Sequence, residues 1–436
     1  MMLLPSLENF IPKDHYLRRL DKVLNLDFIH ELVADKYCQD NGRPSIDPEV
    51  VIRLFLIQAI EGITSVRKLM QRVHVDLSYR WFIGYSLDEK LPDHSTLSKA
   101  LDRFGDDVFN ALFERSIGQC QASGLIEGKV LHVDATTIRA DIDRGQVNKP
   151  DSSDPDARYG HFPGKRLEPG YKQHTVADSK FRVIVGMSVT PANCREHDEM
   201  EGIIDKAQEN IQTTPEAVCA DKAYSSGVNN AAMEKRGIRF VSPPPKVPKH
   251  INGSCFTVED FKYDKKRDIF ICPAGKTLKY SYRVKARPNN CRYVALLSEC
   301  GVCELKNKCT KSDRRQLEVS IYHESLRRLR EDSKTDSFKK LYKTRAPGIE
   351  GIFGEAKENH GLRRAWRRGL LKMRIQALLI GSVLNFKRLA AVFCPLIGLK
   401  TYLKTVIRLI LTIVERFWNK VSQNSPFMLN IGSSKF

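Results

Sequence analysis

Apolar residues in the first quarter of the chain recur at helical spacing. Asp47-Pro48 marks a helix start, with aspartate as N-cap and proline at the first helical position, and Val51, Leu54, Phe55 and Ala59 follow on one stripe. Ser65 is placed to cap a second helix reaching Val73, and Ser95 a third over residues 96–104. A longer helical pattern around residues 107–122 stops at Ser123-Gly124. Residues 1–125 therefore read as an all-helical N-terminal domain.

The period then changes. Residues 129–134 read as a short β-branched strand ending on Asp134, and residues 141–170 as a loop rich in Asp, Ser, Pro and Gly. Residues 171–177 and 182–189 look like a hairpin turning at Asp178-Ser179-Lys180. A helix over 197–210 precedes a strand over 217–221, which ends on Asp221, and a helix near 228–236 and a strand over 238–241 follow. This order is α/β. Residues 243–344 differ in character: they open on a proline cluster, are rich in lysine and hold six of the eleven cysteines, and so read as an insertion. Helical patterns return at 346–358 and 370–393. Residues 402–421 read as a basic amphipathic helix before a polar tail, making 396–436 a C-terminal appendage.

Charge adds a partner class. Lys and Arg number 71 against 52 Asp and Glu, a formal charge of +19, which favours a polyanion because each neutralised phosphate releases counterions. Arg67, Lys68, Arg72, Lys99 and Arg103 face outward on the N-terminal helices, suiting either a helix-turn-helix DNA reader or a bundle used for dimerisation. The start shows no basic region ahead of an apolar stretch, and no uncharged apolar run reaches the roughly 18 residues of a membrane span. A cytoplasmic, nucleoid-associated protein without a membrane is expected, with cysteines reduced or metal-bound.

Asp134 and Asp221 could do chemistry from their strand ends, although solvated acids also end strands. Hard cations such as Mg²⁺ take carboxylate oxygens and keep positions open for phosphate. Glu350 and Lys357 are two helical turns apart and share a face, too far for a direct ion pair. Arg363, Arg364, Arg367, Arg368, Lys372 and Arg374 surround Trp366 and suit DNA phosphates, with Trp366 either a stacking face or a core residue. Cys300-Gly-Val-Cys303, with Cys272 before and Cys309 after, has the tight spacing of a structural Zn²⁺ site, with Cys291 as a substitute ligand. The alternative is reduced cysteines that bind nothing.

The string RAPGIEGIFGEAKENHGLRRAWRRGL resembles the glutamate helix of bacterial insertion-sequence transposases of the DDE type, whose third acid lies in a Tyr–Arg–Glu–Lys pattern. Tyr342, Arg345, Glu350 and Lys357 occupy the four places, with the Arg-to-Glu spacing one residue longer than its common form. HVDATTIRAD resembles the first-acid strand, GYKQHTVADSKFRVIVGMSVTPANCREHD the hairpin after it, and VCADKAYSS the second-acid strand. SIDPEVVIRLFLIQAIEGITSVRKL resembles the helical N-terminal domain of one branch, in which similar cysteine patterns occur.

The resemblance implies an α/β ribonuclease-H-like catalytic domain, split over 126–242 and 345–395, with an all-helical N-terminal domain and a cysteine-rich insertion. It implies metal-dependent cleavage of insertion-element DNA ends and strand transfer into target DNA. Asp134, Asp221 and Glu350 would be the catalytic acids and hold two Mg²⁺ (or Mn²⁺) ions. Tyr342, Arg345, Lys357, Arg363, Arg364, Arg367 and Arg368 would contact DNA. The expected partners are double-stranded DNA, as terminal inverted repeats and target, and a second copy in a homodimer. The alternatives are a nuclease of the same fold that does not join, or a non-catalytic DNA-binding derivative.

Overall fold

The computed structural model describes residues 6–37, 45–164, 167–247 and 256–393. The helix expected over 402–421 and the tail after it lie outside the described residues.

Helices come first: α1 (Tyr16–Asp21), α2 (Phe28–Leu32), α3 (Pro48–Ile60), α4 (Val66–Val75), α5 (Leu77–Phe82), α6 (His94–Phe104) and α7 (Asp107–Ala122). The Asp47 carboxylate caps α3 by accepting from the Glu49 amide at 2.7 Å, with Pro48 in the first turn. At α6 the cap is Asp93 rather than Ser95. The Asp93 carboxylate accepts from the Ser95 amide and hydroxyl at 2.8 and 2.6 Å, which draws Ser95 inside the helix.

A mixed sheet follows, built from β1 (Val130–Arg139), β2 (Arg158–Gly160), β3 (Glu168–Asp178), β4 (Ile184–Pro191), then α8 (Met200–Ile211), β5 (Ala217–Ala220), α9 (Gly227–Lys235) and β6 (Arg239–Val241). The path runs β3-β1-β5-β6, and β2 and β4 share the outer edge of β3. The β1–β3 and β3–β4 pairs are antiparallel, whereas β1–β5 and β5–β6 are parallel. Asp134 does not end its strand, contrary to the sequence reading: β1 continues five residues to Arg139 and pairs with β3 throughout. The β-branched run Thr136-Thr137-Ile138 sustains the strand, and the acid is tolerated within it because a cation from another element meets its side chain.

The cysteine-bearing segment is itself folded. Strands β7 (Lys262–Asp264), β8 (Ile269–Ile271), β9 (Thr277–Arg283) and β10 (Asn290–Ala295) precede α10 (Leu297–Gly301) and α11 (Lys306–Cys309), and β11 (Gln316–Ser320) completes an antiparallel sheet in sequence order. This sheet has its own small core around Phe270, Leu278, Tyr293 and Leu317. The chain returns through α12 (His323–Asp332), α13 (Asp336–Lys343), α14 (Arg345–Asn359) and α15 (Leu370–Phe393).

One large core joins the N-terminal helices, the mixed sheet and α15. The α15 helix runs between α7 and β4, where buried Asn385 accepts from the Ile184 amide at 2.8 Å and donates to the Ile184 carbonyl at 2.9 Å and Ser116 Oγ at 3.1 Å. By length and hydropathy residues Leu370–Val392 could cross a membrane, but 78% of the apolar window is buried inside the protein. The sequence reads residues 370–393 as a helix whose apolar stretch, flanked by Lys and Arg, packs inside the protein, and the structure agrees. The buried environment makes α15 the central helix of the fold.

Candidate active site

Alternation along β1 places His132, Asp134 and Thr136 on one face, and α14 lies across it. On the other side of β1, Val133 pairs with Ala220 of parallel β5. Asp221 is the residue immediately after β5, one step beyond that pair, which brings it beside Asp134. Two carboxylates this close repel, and the cation that offsets them is Arg345. Its Nη1 donates to Asp134 Oδ2 at 2.7 Å, and its Nη2 lies 3.9 Å from Asp221 Oδ1. Asp134 Oδ1 also accepts from the Ala135 amide at 2.8 Å. Asp221 is fixed through its backbone, whose carbonyl accepts from Ser242 Oγ at 2.9 Å.

Burial pushes the Asp134 carboxyl above its usual value; Arg345 and the Ala135 amide oppose the rise, and Asp221 adds to it. Burial also works against the Arg345 charge, but Asp134 more than offsets this and its pKa is raised. Both pKa values are raised, which weakens the charged form of Asp134 and strengthens that of Arg345. A guanidinium stays protonated at any accessible pH, so the ion pair is the arrangement at neutral pH. Tyr342, stacked on Phe338, presents its ring 5.6 Å from the Arg345 guanidinium.

Glu350 is placed differently. It is exposed on α14 and makes no hydrogen bond or ion pair with a described residue. Five positions separate it from Arg345, about 140° around the helix and ~7.5 Å along it. Asp134, Asp221, Arg345 and Tyr342 are thus brought together, and Glu350 is carried on the same helix but turned away from them. Lys357 shares the Glu350 face; burial and the nearby Arg363 charge lower its pKa.

The arginine run divides. Arg363 and Arg364 are exposed and ion-paired with Glu358 and Asp141, and Arg368 donates to the Asp141 carbonyl at 2.9 Å. Arg367 instead packs over the Phe55 ring at 5.8 Å, where burial lowers its pKa. Trp366 is half-buried against the core, and its indole N–H donates to the Gly361 carbonyl at 3.1 Å. The loop carrying these residues is tied to the end of β1, since Arg139 donates to the Arg363 carbonyl at 3.2 Å and Ala365 to the Arg139 carbonyl at 2.8 Å.

Two supporting histidines were not singled out by sequence. His132, two residues before Asp134, bonds Thr344 Oγ1 at 3.1 Å, and burial, with Arg345 second, holds its pKa down to about 4. His174 on β3 lies between Tyr224 Oη at 2.9 Å and Thr190 Oγ1 at 3.1 Å, and so ties the turn after Asp221 to the sheet. For His132 a signal was available in the HVD string, two residues before Asp134; His174 sits mid-strand in the GYKQHTVAD string, and only its partner Tyr224 lies in the DKAY string beside Asp221.

Hard oxygen donors on β1 and at the end of β5 suit a divalent cation, and the Arg345 side-chain cation already lies between them. No group of three or more His, Cys, Asp or Glu side chains among the described residues is arranged to hold a metal, because Glu350 is not drawn in.

Residues 5–103 match the family described as Transposase domain (DUF772), and residues 271–390 match Transposase DDE domain. No curated protein matches the chain. Among solved structures, a piggyBac transposase synaptic complex with hairpin DNA is similar at 12% identity, covering 86% of this chain and 74% of that one, with a TM-score of 0.39. A Mos1 transposase paired-end complex with left transposon end is similar at 8% identity, covering 47% and 61%, with a TM-score of 0.18. Two transposase matches in this order, together spanning half of the chain, the second including the helix that bears Arg345, Glu350 and Lys357, make this chain a member of the DDE transposases.

Proposed function

We propose that this transposase cuts DNA at the ends of its insertion element and joins the freed ends to target DNA, using Asp134, Asp221 and Glu350. The observation that carries the reading is the juxtaposition of Asp134 on β1 and Asp221 just after parallel β5, bridged by Arg345 from the glutamate helix. The strand order supports a ribonuclease-H-like catalytic domain over 126–242 and 345–395: an antiparallel β4-β3-β1 run continues through parallel β5 and β6. Helices of 1–125 would bind DNA or pair with a second copy.

DDE transposases generally use divalent metal ions. Here Asp134 and Asp221 would hold Mg²⁺ or Mn²⁺, with Glu350 completing the set, and the bound ions would offset charge on the attacking and leaving oxygens. The protein's own part is positioning. Burial and the Ala135 amide fix Asp134, and Ser242 fixes the Asp221 backbone. Arg345 must leave the aspartates for Glu350 to join them, and a DNA phosphate offers its guanidinium a two-pronged anionic partner. Strand entry and release of the acids are thereby coupled. Exposed Arg363, Arg364 and Arg368 would hold the duplex, with Lys357 at its edge.

The test is cleavage and strand transfer on element-end DNA with Mg²⁺ or Mn²⁺. Asp134→Asn, Asp221→Asn and Glu350→Gln should each abolish cleavage and keep DNA binding in a mobility-shift assay. Full cleavage by any one of them removes that residue from the active site. Cleavage without joined products would indicate a nuclease.

A further inference from the structure

Far along the chain from the acids, the sheet β7–β11 gathers a different set of ligands. Cys272 opens a tight turn after β8: Gly275, at φ +75°, donates its amide to the Cys272 carbonyl at 2.8 Å, and the Lys276 amide donates to Cys272 Sγ at 3.3 Å. Cys300 sits in α10, and the Cys303 amide turns back to the Cys300 carbonyl at 3.4 Å. Cys309 ends α11, its carbonyl accepting from Arg315 Nη1 at 2.8 Å. These four thiols, all unpaired by disulfide, line one cavity of about 20 Å³, whose apolar side is Leu278 and Ala295. Cys291 belongs to the same small core but does not line that cavity.

We propose that Cys272, Cys300, Cys303 and Cys309 form a closed structural Zn²⁺ site that staples this sheet. Zinc takes four thiolates in a tetrahedron at about 2.3 Å, and a cavity holding roughly one water-sized sphere is the right scale for a single ion. Binding balances as one Zn²⁺ replacing four thiol protons, which are released to solvent and leave a site of charge −2. Lys276, Lys306 and Arg315 line the same cavity and offset that charge. The Lys276 amide on Cys272 Sγ is the kind of bond that orients a metal-bound sulfur.

The four thiols share one cavity without yet being drawn together. No three of the sulfurs stand at metal-holding spacing. Yet all four sulfurs belong to one small cavity wall, together with Lys276, Lys306 and Arg315. Thiolates without a cation repel. Closing them asks for side-chain rotation on three short turns, with the sheet left in place. The need for a staple is evident in the core, where Phe261, Phe270, Leu278, Tyr293, Ala295, Leu317 and Val319 are the buried apolar residues. A core this small rarely holds a fold unaided.

The test uses the full chain purified without chelator. Elemental analysis should find one zinc per chain, and exchange for Co²⁺ should give the intense bands of a tetrahedral thiolate site. Thiol titration should show four fewer reactive thiols until a chelator is added. Cys291→Ser should keep a full equivalent of metal, while Cys303→Ser should lose it. Near-zero zinc with all thiols reactive, a Cys300–Cys303 disulfide, or an octahedral cobalt spectrum would each overturn the site. So would a Cys291→Ser variant that loses metal. Because metal content, cobalt spectrum and thiol count are read on the unmutated protein, the result stands even if Cys303→Ser does not fold.

Discussion

Gly348 tests the packing of the glutamate helix on the first-acid strand. A Cβ at this position would lie 2.5 Å from Nδ1 and 2.9 Å from Cε1 of His132, against an ordinary contact of roughly 3.5 Å. The ring cannot swing aside, because it is buried and its Nε2 is engaged with Thr344. Gly348→Ala must therefore push α14 off β1 by about 1 Å. Overpacking of this kind costs ~1–3 kcal/mol, while alanine returns ~1 kcal/mol of helix propensity, so the net change is about 0–2 kcal/mol destabilising. The catalytic penalty should be larger, since about 1 Å of misplacement can cost roughly a hundredfold in rate. Gly354 supplies the control: it lies on the same helix with open space at its Cβ position. Gly354→Ala should stabilise by ~1 kcal/mol and leave cleavage intact. Urea unfolding and metal-dependent end cleavage on both variants give the comparison. If Gly348→Ala matches Gly354→Ala in stability and cleaves at the unmutated rate, α14 does not pack on β1 through this glycine.

Three further outcomes are expected. Arg345→Gln frees Asp134 and Asp221 from their ion pair, so Mn²⁺ should bind about tenfold more tightly without DNA, as read by electron paramagnetic resonance; roughly 1.4 kcal/mol of lost competition would suffice, and unchanged affinity would show that the guanidinium does not compete. His174 has its pKa lowered to about 3, with burial the largest cause, so the unfolded chain takes up the proton first and stability is lost as pH falls from ~6.5 toward 3. At pH 5 this amounts to about 2 kcal/mol, which His174→Gln should remove from the difference between urea unfolding at pH 7 and pH 5. Arg364→Ala and Arg368→Ala should each lower the salt slope of DNA binding by about one, whereas Arg367→Ala should lower stability and leave that slope alone, because Arg367 packs on Phe55.

The elements carrying the chemistry were largely legible in the sequence, because their signals are local. Leu370–Phe393 appears at its expected bounds, and the hairpin turning at Asp178 falls where turn chemistry put it. The Asp134 strand was read too short because a charged residue ordinarily marks a boundary. Its true length depends on Arg345, 211 positions away, which no local window contains. The sheet of residues 262–320 was read only as an insertion. Its strands at β7 and β8 have three residues each, and β9 exposes five consecutive residues after Leu278, so the alternation that betrays a strand is missing. Arg367 was grouped with its neighbours because composition does not show direction; it alone of the four arginines packs over Phe55.

How the site survives so long an interruption follows from where the insertion is anchored. Chain length is not the difficulty, since the entropy of closing a loop grows only slowly with its length. Orientation is, because Arg345 must arrive beside Asp221 after more than a hundred intervening residues. The second-acid strand's neighbours solve this. Arg239, at the start of β6, pairs with Asp332 at the end of α12 at 2.7 Å and donates to Ser337 Oγ at 2.9 Å. On α9, Asn230 donates to the Ser325 carbonyl at 2.9 Å, and Glu234 receives Arg328 at 2.8 Å. Cys219 of β5 and Val241 of β6 then form a small core with Leu329 and Phe338, on which Leu341 and Tyr342 pack. The strands that flank and carry Asp221 therefore seat the helices that return the chain, one turn before Arg345.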